Sequence, residues 1–170
     1  MIEKPLHVRP ARPSDEDALF NMLCLAYSEN ALYKMSAKKV RDMIEQGTRS
    51  RDVIIGVAES PDGKIAGSIG AYFMQWWFSD EWSICELWNF VHPDHRKSPI
   101  RYGVELIQYG KWLAENMKMP LHMGILTATR MEAKVKMYKR QLNQSGAIFI
   151  YNAGSASGPL AHSNLAEALV

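Results

Sequence analysis

The side chains best suited to chemistry lie in three stretches of the sequence. One is VHPDHRKSPIRYG, Val91 to Gly103, where Arg96, Lys97 and Arg101 fall between an apolar run and a long helical pattern. A helix start carries unpaired N–H groups and partial positive charge, so it attracts anions. Ser98 suits an N-cap, and Pro99 suits the first helical position, where its missing N–H costs nothing. Arg96 and Lys97 then lie just before the helix, with Arg101 in its first turn. A cation there opposes the helix dipole by about 0.3–1 kcal/mol, a conflict that a bound anion removes. The residues alone leave two possibilities, a diphosphate site at a strand-to-helix junction or a solvated basic turn with a satisfied cap.

The second stretch is SICELWNFV, with Glu86 at mid-strand. Alternation puts Glu86, Trp88 and Phe90 on one face and Cys85, Leu87, Asn89 and Val91 on the other. An acid in so apolar a strand needs a partner or a cleft. It is a candidate base toward an amine, or a rim carboxylate paired with a nearby cation. The third stretch is MEAKVKMYKRQL, in which Met131, Val135, Tyr138 and Leu142 share one helical face. Tyr138 therefore points inward, as a core tyrosine or as a proton donor.

Other reactive types carry less. His92 and His95 form H-x-x-H with no third ligand nearby in sequence, so no metal is expected. Cys24 and Cys85 sit in apolar runs without CxxC spacing or a basic neighbour, and are expected to be buried free thiols. Trp76, Trp77 and Trp82 flank a loop and suit an acceptor pocket, a dimer contact or the closing of a hairpin end.

The elements that must position these groups form one domain. The 170 residues carry a net charge of +2, too little to suggest nucleic acid from composition. MIEKPLHVRP has no apolar signal core and no run is long enough to span a membrane, so the cytoplasm is the expected location. Leu6 to Ala11 reads as a strand. Pro13 to Ala31 reads as a helix capped by Ser14 or Asp15, with Leu19, Met22, Leu23 and Ala26 facing inward. Ala37 to Gly47 is a second helix that Gly47 terminates. Strands over 52–60 and 64–75 flank the turn SPDGK, and WSICELWNFV is a third strand of this group. A helix from Ser98 to Met117, a strand over Leu121–Leu126, a helix over 131–142 and a strand over Gly146–Asn152 follow. Residues 152–170 form a tail rich in small residues. The order is that of an α/β (α+β) chain, hairpin-connected first and crossover-connected later.

Val91-x-Pro93-x-x-Arg96, between an apolar strand and a long helix, resembles the central motif of the GNAT superfamily of acyl-CoA N-acyltransferases. The resemblance runs from Leu6 to about Tyr151, within a single domain spanning 1–151, and is greatest to divergent members carried by phages and prophages. It implies a mixed, mostly antiparallel sheet of about six to seven strands flanked by about four helices. It also implies an acetyl-CoA-dependent N-acetyltransferase whose acceptor amine belongs to a small molecule, peptide or protein, with no metal, nucleic acid or membrane involved. A homodimer is compatible with this family. Arg96, Lys97, Ser98, Pro99, Ile100, Arg101 and Tyr102 would hold the coenzyme A diphosphate. The backbone of Asn89, Phe90 and Val91 would run beside the pantetheine. Tyr138 resembles the tyrosine that protonates the departing sulfur, with Glu86 the candidate base that the strand itself offers. Pro99 and Arg101 stand where the motif has small residues, a degenerate form of the loop. Arg101 is expected to swing out and pair with a phosphate. The alternative is a non-catalytic interaction module of the same fold that has lost coenzyme A binding.

Overall fold

The computed structural model describes residues 3–30, 33–50, 52–127 and 129–146. Strand β1 (Val8–Pro10) is followed by helices α1 (Glu16–Asn30) and α2 (Ala37–Arg49). Three strands come next, β2 (Val53–Glu59), β3 (Ile65–Gln75) and β4 (Trp82–Val91). Helix α3 (Tyr102–Met117), strand β5 (Leu121–His122) and helix α4 (Met131–Lys139) complete the described elements. The sheet order is β1-β2-β3-β4-β5, antiparallel except for the parallel pair β4–β5. The sheet has five strands among the described residues, and the strand expected over 146–152 lies outside them from residue 147 onward. The tail over 152–170 lies outside them too. No helix among the described residues is long and apolar enough to cross a membrane.

Each face of the sheet buries its own apolar cluster. Leu19, Met22 and Leu23 of α1 and Ile44 of α2 pack on Val53, Ile55 and Val57 of β2 and on Trp88 and Phe90 of β4. On the other face Tyr102, Leu106 and Tyr109 of α3 pack on Val8, Ala58, Ala66 and Ile69. Gly56 makes room there, because a Cβ on it would stand 2.7 Å from the Tyr109 ring. The β2–β3 turn has Gly63 at φ 79°, a conformation that glycine reaches without strain.

Four local expectations need correction. Helix α1 is entered through a 3-10 turn over Pro13–Asp15, where Asp15 accepts the Arg12 N–H at 2.8 Å and pairs with Arg9. Gly47 does not stop α2, which runs to Arg49. It lies where a Cβ would meet the Ile55 side chain at 2.4 Å. Strand β5 is only Leu121–His122, because the chain then parts from β4. Helix α3 begins at Tyr102, not Ser98, with Arg101 as its N-cap at φ −88°, ψ 64°. The Ser98 hydroxyl accepts the Ile100 N–H at 3.2 Å, a local turn that competes with helix entry.

One irregularity in β4 decides the site. Gly70 pairs with Trp88 but Ala71 pairs with Glu86, so Leu87 is an extra residue on β4. A bulge of this kind shifts side-chain parity by one. Leu87 and Trp88 both face the α1–α2 cluster. Ile84 and Glu86 face α3 instead, beside Ile69, Ala71 and Tyr109. The strict alternation expected from sequence placed Glu86 with Trp88 and Phe90; the bulge moves it to the opposite face. Gly70 makes the bulge compatible with the indole above it, since a Cβ there would stand 2.5 Å from the Trp88 ring.

Candidate active site

A cleft of about 300 Å³ opens between the end of β4, the loop before α3 and the start of α4. Its walls contain Asn89, Phe90, Val91, Arg96, Ser98, Ile100, Arg101 and Tyr102, eight of the ten positions expected to hold a cofactor. Lys97 and Pro99 lie in the same loop but do not line it. His92 N–H donates to Ala66 O at 2.8 Å, so the β3-facing edge of β4 belongs to His92 and Phe90. The backbone N–H and C=O groups of Asn89 and Val91 therefore point to the other edge. Among the described residues β5 pairs with β4 only at Ile84 and Cys85, so no described strand lies beside Asn89 and Val91 on that edge, where Val91 O accepts the Arg96 Nε–H. A linear amide-bearing chain can lie along it, and the first N–H groups of α3 have no partner within the helix.

The mouth of the cleft is dense in charge. Arg96 is half-committed to the protein itself. Its Nε donates to Val91 O at 2.9 Å, and one terminal nitrogen donates to both oxygens of Glu29, at 2.8 and 3.0 Å. Its guanidinium lies 5.0 Å from the centre of the Phe90 ring. Arg101, Arg130 and Lys134 also line the cleft. Burial pushes the Lys134 ammonium down, against the opposing pull of Glu86 and Glu29. His95 reaches the same wall and meets Tyr102 edge-on at 5.9 Å. Its ring is 6.1 Å from that of His92, and no group of three or more metal-ligating side chains occurs among the described residues.

Glu86 and Tyr138 do not line this cleft; they meet behind its Asn89 and Lys134 wall, with Glu86 on a small separate cavity under α3. The Tyr138 hydroxyl donates to Glu86 Oε1 at 2.9 Å, and the Gly124 N–H donates to Oε2 at 3.1 Å. Gly124 is two residues past the last β4–β5 pair, so the carboxylate takes the N–H that a continuing β-ladder would have used. Burial raises the Glu86 pKa to about 7, against the hydrogen bonds from Tyr138 and Gly124 and the charge of Lys134. Burial, together with the Glu86 charge, holds the Tyr138 phenol well above its ordinary value, so it stays protonated at neutral pH. Tyr138 is buried, as its helical periodicity implied, but Met131 of the same expected face is exposed. Such a pair can accept a proton at the carboxylate and release one from the phenol.

Three participants were not legible as site residues: Glu29, Lys134 and the Gly124 N–H. Glu29 lies 67 positions from Arg96, and no local pattern marks it. Lys134 had a weak signal, being one helical turn before Tyr138. The tryptophan loop lies away from the cleft at the β3–β4 hairpin. Trp76 stacks on Phe78 and meets His122 edge-on, while Trp77 is 93% exposed. Cys24 and Cys85 are free thiols, half-buried and buried, and burial pushes the Cys85 thiol up.

No family model matches the sequence, and no match to a curated protein is found. Solved structures do match the fold. A structure described as a probable acetyltransferase superposes with a TM-score of 0.65 at 16% identity, covering 90% of this chain and all of the other. A ribosomal-protein-alanine N-acetyltransferase from Brucella melitensis biovar Abortus 2308 gives 0.62 at 15% identity, over 86% of this chain and 99% of that one. An aminoglycoside antibiotic 6'-N-acetyltransferase from Acinetobacter haemolyticus gives 0.64 at 14%, over 88% and 99%. The architecture is the GNAT fold, shared with acetyltransferases of both small-molecule and protein substrates.

Proposed function

We propose that the protein is an acetyl-CoA-dependent N-acetyltransferase acting on a primary amine in a ternary complex. The observation that carries this is the Tyr138–Glu86 hydrogen bond, set on the same sheet face as a cleft with a cationic mouth and a β4 edge beside which no described strand lies. The start of α3, with Arg101, would receive the diphosphate, and the edge groups of Asn89 and the Val91 N–H would receive the pantetheine amides. The amine nitrogen attacks the thioester carbonyl, a C–N bond forms and the C–S bond breaks. The amine proton passes to Glu86, directly or through water, and the departing sulfur takes the Tyr138 proton. Because the two groups share a hydrogen bond, proton entry at one and exit at the other leave the pair's net charge unchanged. Burial raises the Cys85 thiol pKa, which disfavours it as a nucleophile and suits direct transfer without an acyl-enzyme. Amine-bearing acceptors, small-molecule or protein, match what the similar structures are described as acting on, and a cytoplasmic location suits this supply of acyl-CoA.

Glu29 favours a second possibility. It places a carboxylate at the mouth where the diphosphate would bind, as expected if the fold has become a non-catalytic interaction module. Thermal unfolding with and without acetyl-CoA separates the two. Binding to the native state at 100 times Kd adds about 2.7 kcal/mol, a shift of several degrees. No shift at millimolar acetyl-CoA refutes the enzyme assignment. Turnover that persists unchanged in Tyr138→Phe refutes the proton-donor role while leaving the binding assignment standing.

A further inference from the structure

Asn89 carries a feature that the mechanism above does not use. It is 7% exposed, lines the cleft, and its Nδ2 is fully buried with no hydrogen-bond partner among the described residues. A buried amide donor without a partner is costly, and natural proteins retain few of them. The bulge at Leu87 puts Asn89 on the face of β4 that also carries Glu86, three residues away, and thus beside Tyr138. The same amide lies beside the Tyr138 oxygen and already favours ionisation of the phenol, against burial and Glu86, although it falls short of hydrogen-bond geometry in the resting pair. In the resting pair the Tyr138 proton lies on the Glu86 side, so the phenol oxygen keeps its acceptor capacity.

We propose that Asn89 is a positioning residue for proton transfer, its Nδ2 donating to the Tyr138 oxygen as that oxygen gives its proton to the departing sulfur. The inference rests on the acyl-transfer assignment and adds to it a side chain so far assigned only through its backbone. The proton balance is unchanged: Tyr138 loses its proton to sulfur, Glu86 has gained one from the amine, and Asn89 only donates a hydrogen bond. A donor held just short of hydrogen-bond geometry at rest, and drawn in as negative charge develops, stabilises the transition state more than the ground state. The unpaired amide in the resting protein is then the stability cost of that arrangement.

The test is a double-mutant cycle of Asn89→Leu with Tyr138→Phe, read as thiol release from acetyl-CoA with the best amine of a panel. Leucine keeps the shape of asparagine and removes the donor. In the wild-type background kcat is expected to fall about 10- to 100-fold, as for loss of one donor to a developing charge. KM for acetyl-CoA should stay within about two-fold, and the Tm of the free protein should fall little, because Asn89 Nδ2 makes no well-formed hydrogen bond to the described residues at rest. In the Tyr138→Phe background, Asn89→Leu should cost nothing further. An equal loss of kcat in both backgrounds, an unchanged kcat, or a lowered Tm with raised KM overturns the proposal. If Asn89→Leu does not fold, Asn89→Ala removes the same donor and is read in the same cycle. A wild-type protein that neither binds nor turns over acetyl-CoA refutes the acyl-transfer assignment, and this inference with it. Turnover with additive losses refutes this inference alone.

Discussion

Replacing Glu86 by glutamine should make the protein more stable and less active, and the stability gain should depend on pH. The Glu86 pKa is raised from 4.5 to about 7 in the fold. Between those values the native state holds a proton that the unfolded chain has released, so stability falls as pH rises through this window and levels off above it. The displacement is about 2.5 pKa units, worth about 3 kcal/mol at 1.36 kcal/mol per unit. Glutamine mimics the protonated carboxyl: it keeps an oxygen for the Tyr138 hydroxyl or the Gly124 N–H and carries no charge. Glu86→Gln should therefore match wild type near pH 4 and exceed it by about 3 kcal/mol near pH 8.5. For a chain of this length that is a Tm difference of about 6–12 °C. Titrations of groups that do not interact with Glu86 are common to both proteins and cancel in the difference; Lys134, whose ammonium Glu86 supports, is the neighbour whose own titration shifts. Calorimetric Tm values at five or six pH values between 4 and 9 give the comparison directly. A Tm difference that does not change with pH, or a variant less stable at pH 8.5, would refute the assignment of Glu86 as a buried carboxylate held near neutrality. Activity should move oppositely, with kcat reduced about 10²- to 10⁴-fold by loss of the base.

The remaining predictions test neighbouring parts of the site. Wild-type kcat should rise with pH through about 7 as Glu86 ionises, and the residual rate of Glu86→Gln should lack that limb; a wild-type limb centred elsewhere assigns the base to another group. Arg96→Ala should destabilise by about 2–3 kcal/mol in urea, because it leaves Glu29 and the Val91 carbonyl without their charged donor. Adding Glu29→Gln to Arg96→Ala should cost much less than Glu29→Gln alone, and additive costs would mean that the pair does not act as a unit. Gly70→Ala should cost about 1–3 kcal/mol, since its Cβ must displace the Trp88 indole and strain its 3.2 Å bond to Ser68. A cost below about 0.5 kcal/mol would show that the indole relaxes freely.

Patterns that depend on neighbours in sequence were legible. The inward face of α1 is Leu19, Met22 and Leu23, as periodicity required, and Tyr138 is buried for the same reason. The strand-to-helix junction after Val91 does form the wall of a cleft, although Ser98 spends its hydroxyl on Ile100 and not on the helix. That outcome turns on two competing hydrogen bonds of similar strength, and a cap preference cannot decide between them. Arg96 illustrates a different limit. Its position just before a helix suggested a cation for a diphosphate, but a carboxylate 67 residues away pairs with it. A sequence shows where charge is available and not which long-range partner takes it.

The parity of β4 is where sequence reasoning failed most instructively. Alternation alone set Glu86 with Trp88 and Phe90, which would bury the acid against α1 and α2 with no donor to meet it. A bare carboxylate in that cluster would cost several kcal/mol. That cost was itself a signal, since the apolar strand could carry Glu86 only if alternation broke somewhere between Glu86 and Trp88. The glycine opposite Trp88, Gly70, was a second signal, because glycine inside a strand marks a bulge or a close approach. Read together, they place the irregularity where the structure has it. The same extra residue that lets Trp88 stay in the core turns Glu86 toward Tyr138 and Gly124. Packing on one face and proton chemistry on the other are thus two consequences of one bulge. A variant that deleted Leu87 would have to sacrifice either the Trp88 contact or the Glu86–Tyr138 pair.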